Sequence, residues 1–272
     1  MSFSRRKALL SLSGTAILAG CGMMGRREPL NFVLVHGSWH GPWCWDKLVP
    51  ALRAGGHQVT AVDLQAGRPV EQSNLGSYVK QITDALDAQG APAVLVAHSS
   101  GGLASSQAAE DRAEKVRMLA LLTAFVAANG ESQRALQGAD KAQKVTPVLR
   151  VDFRPGTKIP TQTRIDASDR AAVKLAFYND CTDADANAAI ERLVPEPIAP
   201  GGQPLRLTAE RFGRVPKAYI HCAKDNAISH GRQKDYAAKW PMRRIVTLDS
   251  GHSPFLSMPG RLAQVLTSEI HA

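Results

Sequence analysis

Ala97-His98-Ser99-Ser100-Gly101-Gly102 follows the apolar run Ala93-Val94-Leu95-Val96 and opens a helical stretch. A serine on a tight strand-to-helix turn needs small residues two before and two after it, because its strained backbone is approached closely on both sides. Ala97 and Gly101 meet that need for Ser99, whereas Ser100 would have the larger His98 two before it. Ser99 is therefore the candidate nucleophile, with a plain glycine-rich turn as the alternative. A serine hydroxyl attacks a carbonyl only when a base takes its proton and a carboxylate orients that base. The expected chain order is Ser, acid, His. Asp225 follows the run Ala218-Tyr219-Ile220-His221-Cys222, and His252 lies in Ser250-Gly251-His252-Ser253, after Arg244-Ile245-Val246-Thr247-Leu248. Asp249 competes with Asp225 for the acid role, but it ends the same strand as the histidine loop and would struggle to reach Nδ1, so Asp225 leads.

The oxyanion formed by such an attack needs donors. His36-Gly37-Ser38-Trp39-His40-Gly41 forms a turn after the first apolar run, and the backbone N–H groups of Ser38 and Ser100 are the expected pair. Ser100 also opens a helix, whose partial positive charge favours a developing anion. Losing one oxyanion donor typically costs about 2.7–4 kcal/mol of transition-state stabilisation. His40, His98 and His221 read as packed or hydrogen-bonded structural groups, and Lys141, Lys144 and Arg150 as a solvated face. Trp39, Trp43 and Trp45 fit either a pocket wall or the core.

These residues need elements to carry them. From Asn31 the chain alternates short apolar runs with helical patterns, which predicts an α/β fold with a mostly parallel sheet flanked by helices. Strands are expected at 32–35, 59–62, 93–96, 118–125, 218–222 and 244–248. Helices are expected at about 42–54, at 75–88, after Ser99 and at 261–270. Both candidate partners of Ser99 then sit where strand ends open into a crevice, the usual ligand position in open α/β sheets. Between Pro147 and Gly202 nine prolines and glycines interrupt the rhythm, with helical pattern mainly at 169–177 and 183–193. Residues 127–214 read as an inserted cap, leaving 31–126 and 215–272 as one core.

The chain has 272 residues with 44% hydrophobic and 21% charged, an ordinary globular balance. Its formal charge of +9 suggests a polyanion partner until the excess is located. Five of the 33 basic residues are Arg5, Arg6, Lys7, Arg26 and Arg27; from Pro29 onward 28 basic and 23 acidic residues are spread without a long basic run, so no nucleic-acid partner is implied. Ser4-Arg5-Arg6-Lys7 precedes a short mostly apolar stretch, Ala8 to Gly20, too brief for a bilayer span. Residues 1–20 therefore read as a signal peptide. Leu18-Ala19-Gly20-Cys21 resembles a bacterial lipobox, with Cys21 the lipidated residue and 21–30 a tether. That implies an exported bacterial lipoprotein on the periplasmic face of a membrane. Ser4 to Leu9 also resembles a twin-arginine signal, with Ala8 where Phe is preferred. Cys44, Cys181 and Cys222 are an odd set without C-x-x-C spacing, which implies neither a disulfide framework nor a zinc site.

The motifs together resemble the α/β-hydrolase fold, in particular the hydroxynitrile lyase and plant methylesterase branch with its bacterial esterase relatives. The resemblance covers nearly all of Phe32 to the C-terminus. It rests on His36-Gly37-Ser38-Trp39-His40-Gly41-Pro42-Trp43-Cys44-Trp45, Ala97 to Gly102, Phe177-Tyr178-Asn179-Asp180-Cys181, Ala223-Lys224-Asp225-Asn226-Ala227-Ile228 and Gly251-His252-Ser253-Pro254. It implies nucleophile Ser99, acid Asp225, base His252 and oxyanion residues Ser38 and Ser100. Cyanohydrin lyases of this branch carry Thr after the first histidine and Lys after the catalytic one. Gly37 and Ser253 stand in those places here, so the resemblance implies a serine carboxylesterase acting on a small-molecule ester without metal or organic cofactor. A cyanohydrin lyase and a non-catalytic binding member of the fold are the alternatives. Thioesters and lactones present the same carbonyl to this constellation.

Overall fold

The computed structural model describes residues 28–136 and 140–272. Residues 1–20, read above as a signal peptide, Cys21 and the start of the expected tether lie outside the described residues. In chain order the elements are β1 (Asn31–Val35), α1 (Leu48–Ala54), β2 (Gln58–Val62), α2 (Leu75–Asp87), β3 (Ala93–His98), α3 (Gly101–Asp111) and β4 (Val116–Leu122). There follow α4 (Gln133–Leu136), β5 (Leu149–Phe153), β6 (Pro160–Ile165), α5 (Arg170–Phe177), α6 (Asp183–Ile190), β7 (Glu196–Pro197) and α7 (Ala199–Gly202). The chain ends with β8 (Lys217–Cys222), α8 (His230–Ala237), β9 (Arg244–Leu248), α9 (Pro254–Ser257) and α10 (Pro259–Thr267).

Six strands form one parallel sheet in the order β2-β1-β3-β4-β8-β9. Alternate side chains of a strand point to opposite faces, and here both faces are covered. Phe32, Leu34, Val94 and Val96 pack with Leu48 and Leu52 of α1 and Leu262 and Leu266 of α10. Val33, Val35, Leu95 and Ala97 pack with Leu75, Tyr78 and Ile82 of α2 and Leu103 of α3. Such strands read as continuous apolar runs, the pattern at 32–35 and 93–96. Helix α2 begins cleanly because the Asn74 side chain accepts from Ser77 N while Ser77 Oγ accepts from Asn74 N, a reciprocal cap.

Two expected elements differ. The helix expected over 42–54 is a short turn, Pro42–Trp45, followed by α1 from Leu48. Pro50 explains the break: lacking an N–H, it is tolerated only in a helix's first turn. Within 127–214 the helices at 170–177 and 183–190 are present, but β5, β6 and β7 form an antiparallel sheet that periodicity does not announce. On β5 the apolar Val151 and Phe153 face solvent, 42% and 52% exposed, so the alternation that reveals a strand is inverted. Ladder bonds to β6 and the Arg164 to Asp152 ion pair at 3.1 Å hold it instead.

Candidate active site

After β1 the chain moves outward to β2, and then returns to place β3 on the other side of β1. That reversal opens a crevice at the strand ends, and both glycine-containing turns lie in it. Ser99 follows β3 with φ at +53°, a left-handed backbone that costs a non-glycine residue about 1–3 kcal/mol. The turn is held by Ser99 N–H to Leu122 O at 3.3 Å and by Phe125 N–H to Ser99 O at 3.0 Å. Close approach explains the small residues around it. A Cβ on Gly101 would stand 2.4 Å from His36 O, and one on Gly102 2.3 Å from Phe125 O. Gly37 is equally constrained, since a Cβ there would meet Ser99 Cβ at 2.6 Å. Three of the four described non-glycine residues with positive φ, Trp39, Ser99 and Thr123, gather in this crevice.

Asp225 lies on the turn after β8, and His252 on the loop after β9. Asp225 Oδ2 accepts from His252 Nδ1 at 2.7 Å and from the Thr123 hydroxyl at 2.6 Å. Its Oδ1 accepts backbone N–H groups of Ala227 at 2.7 Å and Ile228 at 2.9 Å. Four donors thus fix the carboxylate's orientation. Because a carboxylate only accepts, Nδ1 of His252 carries the proton and Nε2 keeps its lone pair. Asp249 points away into an ion pair with Lys224 at 2.7 Å, 79% exposed. Ser99 and His252 line one cavity with Ser38, Ser100 and Trp39.

The loop after β1 is held by two buried histidines. His36 Nδ1 donates to Gly37 O at 2.9 Å, while its Nε2 accepts from Leu64 N at 3.2 Å. His40 Nδ1 donates to Ser38 O at 2.9 Å, and its Nε2 accepts from the Tyr178 hydroxyl at 2.9 Å. Burial lowers both pKa values, that of His40 to about 3, so both rings stay neutral and can accept as well as donate. His98 is likewise pushed well below its ordinary value by burial, and its Nε2 donates to His252 O at 2.9 Å. His221 is buried on β8. Trp39 lines the cavity, whereas Trp45 is fully buried in the core. Cys44, Cys181 and Cys222 are free thiols in the interior.

Several residues at the site escaped the sequence reading. Tyr178, Asn179 and Asp180 each hold a different site loop: Tyr178 the loop after β1, Asn179 through Nδ2 to Lys224 O at 2.9 Å, and Asp180 by accepting Gly251 N–H at 2.8 Å. The motif was visible, but its division of labour was not. Thr123, which supports Asp225, had a signal: it is the lone polar residue in Met118 to Phe125. Glu196 lines the cavity wall and accepts from Tyr78 OH at 3.1 Å and from Trp39 N at 3.4 Å. Burial raises its pKa to about 7, against those donors. Of the three cationic residues read as a solvated face, Lys141 lies at the cavity wall and Arg150 pairs with Asp166 at 2.8 Å. Among the described residues no group of three or more His, Cys, Asp or Glu side chains could hold a metal ion.

Residues 32–265 match the Alpha/beta hydrolase family, and the chain belongs to it. Methyl jasmonate esterase 1 of Vitis vinifera is 31% identical over 255 residues, covering 87% of this chain and 94% of that protein. Among solved structures, a methylesterase from Arabidopsis is 28% identical with a TM-score of 0.76, covering 89% and 99% of the two chains. A pyrethroid hydrolase from Sphingobium faniae shares the fold with a TM-score of 0.79 at 23% identity, covering 90% and 98%.

Proposed function

We propose that this protein is a serine hydrolase that cleaves carboxylic esters of small organic molecules through an acyl-Ser99 intermediate. One observation carries the reading: His252 Nδ1 lies 2.7 Å from Asp225 Oδ2, in the cavity that Ser99 enters from a left-handed turn. His252 Nε2 takes the Ser99 proton as Oγ attacks the ester carbonyl. The oxyanion is received at Ser100 rather than by the Ser38 N–H expected from the sequence, because that N–H donates to Ser100 Oγ at 2.6 Å; His252 then returns the proton to the leaving alcohol. Water then repeats the sequence to release the acid. Asp225 keeps the imidazole in the productive tautomer and steadies its transient charge. The cavity, about 530 Å³, has the size of a small-molecule site. The methylesterases among the relatives support an ester carbonyl as the target.

The test is Ser99→Ala with p-nitrophenyl esters: hydrolysis should vanish, and retained turnover sinks the proposal. The lyase alternative requires cyanide release from mandelonitrile to exceed ester turnover. Gly37 and Ser253 oppose it, since Ser253 directly after His252 carries no cation to receive departing cyanide. A non-catalytic binder would leave Ser99 unlabelled by a fluorophosphonate in the folded protein. From the sequence of residues 1–28 alone we further propose export with lipid on Cys21.

A further inference from the structure

Ser38 and Ser100 carry hydroxyls that the reaction above leaves idle, since it draws only on the backbone N–H of Ser100. Ser38 N–H points at Ser100 Oγ, 2.6 Å away, and the two hydroxyl oxygens are 2.8 Å apart. A backbone N–H has one proton, so this one is already committed within the chain. It is also held there from behind. Gly37 C=O belongs to the same planar peptide unit and accepts from the buried His36 ring at 2.9 Å, so the unit cannot turn its N–H elsewhere without breaking that bond. Two hydroxyls own two protons, and the bond between them uses one. The pair therefore has one O–H left to donate, at the rim of the cavity that Ser99 and His252 line.

Building on the serine-hydrolase reading, we propose that the Ser100 hydroxyl is itself an oxyanion donor, acting beside the Ser100 N–H. Ser38 supports it: its N–H and O–H both feed the Ser100 oxygen, and donors converging on a hydroxyl oxygen make that hydroxyl a stronger donor in turn. Ser38 thus contributes through Ser100, as a positioning residue. Ser100 is half-buried, open enough to meet substrate, whereas Ser38 is 7% exposed. No bond to Ser100 forms or breaks, and only the hydrogen-bond partner of its proton changes as the carbonyl oxygen gains charge.

Ser100→Ala and Ser100→Cys remove or weaken the donor, a thiol being a poor one, while Ser100→Thr retains a hydroxyl. With p-nitrophenyl acetate, the Ala and Cys variants should lose about 10²-fold in kcat with little change in KM, as for removal of one oxyanion donor. Inhibition by a trifluoromethyl ketone, which forms a tetrahedral adduct with the serine, should weaken in proportion. Ser100→Thr should recover most of the rate, and thermal melts identify any variant that fails to fold. If both donor-poor variants match or exceed the parent rate while Ser99→Ala is inactive, the hydroxyl merely covers Ser38 N–H and the proposal is overturned. If Ser99→Ala remains active, the underlying reading fails, whatever Ser100 does.

Discussion

Asp225→Asn isolates the role of the carboxylate, because the structure dictates how an amide must sit there. Two backbone donors, Ala227 N–H and Ile228 N–H, point at Oδ1 and cannot become acceptors. The amide oxygen must take that place, which turns the NH2 toward Thr123 Oγ1 and His252 Nδ1. The threonine hydroxyl can rotate to accept. The imidazole can accept only by moving its proton to Nε2, the nitrogen that must take the Ser99 proton in the proposed reaction, and a protonated Nε2 is no base. We expect a loss of about 10⁴-fold in kcat, equivalent to about 5 kcal/mol of transition-state stabilisation. Stability should fall by no more than about 1–3 kcal/mol, since only the buried Thr123 hydroxyl proton loses its acceptor. Asp225→Ala is the contrast: it strands four buried donors at about 1–3 kcal/mol each, so it should lower the urea midpoint strongly as well as kill turnover. Asp249→Asn, at an exposed ion pair, should change neither. Kinetics with p-nitrophenyl butyrate and urea unfolding read all three. An Asp225→Asn enzyme within tenfold of the parent, or one whose inactivity follows from unfolding, would refute the tautomer argument.

Gly37→Thr, which installs the residue that the resemblance implies for cyanohydrin lyases, should collide with the nucleophile turn, since a Cβ at position 37 would stand 2.6 Å from Ser99 Cβ. Esterase activity should fall about 10²-fold or more from misplacement of the nucleophile, without cyanide release from mandelonitrile. For Glu196, burial raises the folded pKa to about 7 from 4.5. The folded state then holds a proton that the unfolded state has lost, so its stabilising contribution is fullest below pH 4.5 and fades as pH rises through 7. Relative to Glu196→Gln, the parent should lose up to about 3 kcal/mol of unfolding free energy across that window. A pH-independent difference in urea midpoints would contradict this. Cys21→Ala in the full chain should shift the protein from the membrane to the soluble fraction of an export-competent bacterial host. Unchanged membrane association, read by fractionation, would remove the lipid anchor.

What the sequence determined by itself was local. The parallel strands were legible because burial on both faces demands unbroken apolar runs, as in Phe32 to Val35 and Ala93 to Val96. The Ser99 turn was legible because close backbone approach excludes side chains from positions 37, 101 and 102, and such exclusion leaves a mark in one dimension. Asp225 and His252 could be named because each follows a readable strand. The outer sheet was not legible: its exposed strands bury little, so hydrogen bonding rather than apolar alternation holds them. Tertiary structure alone decided which groups complete the site. Thr123 on Asp225, Asp180 on Gly251, His36 on Gly37 and the paired hydroxyls of Ser38 and Ser100 all depend on where protons point. A hydrogen bond is set by fractions of an ångström between chain segments far apart in sequence, and residue spacing carries no record of that.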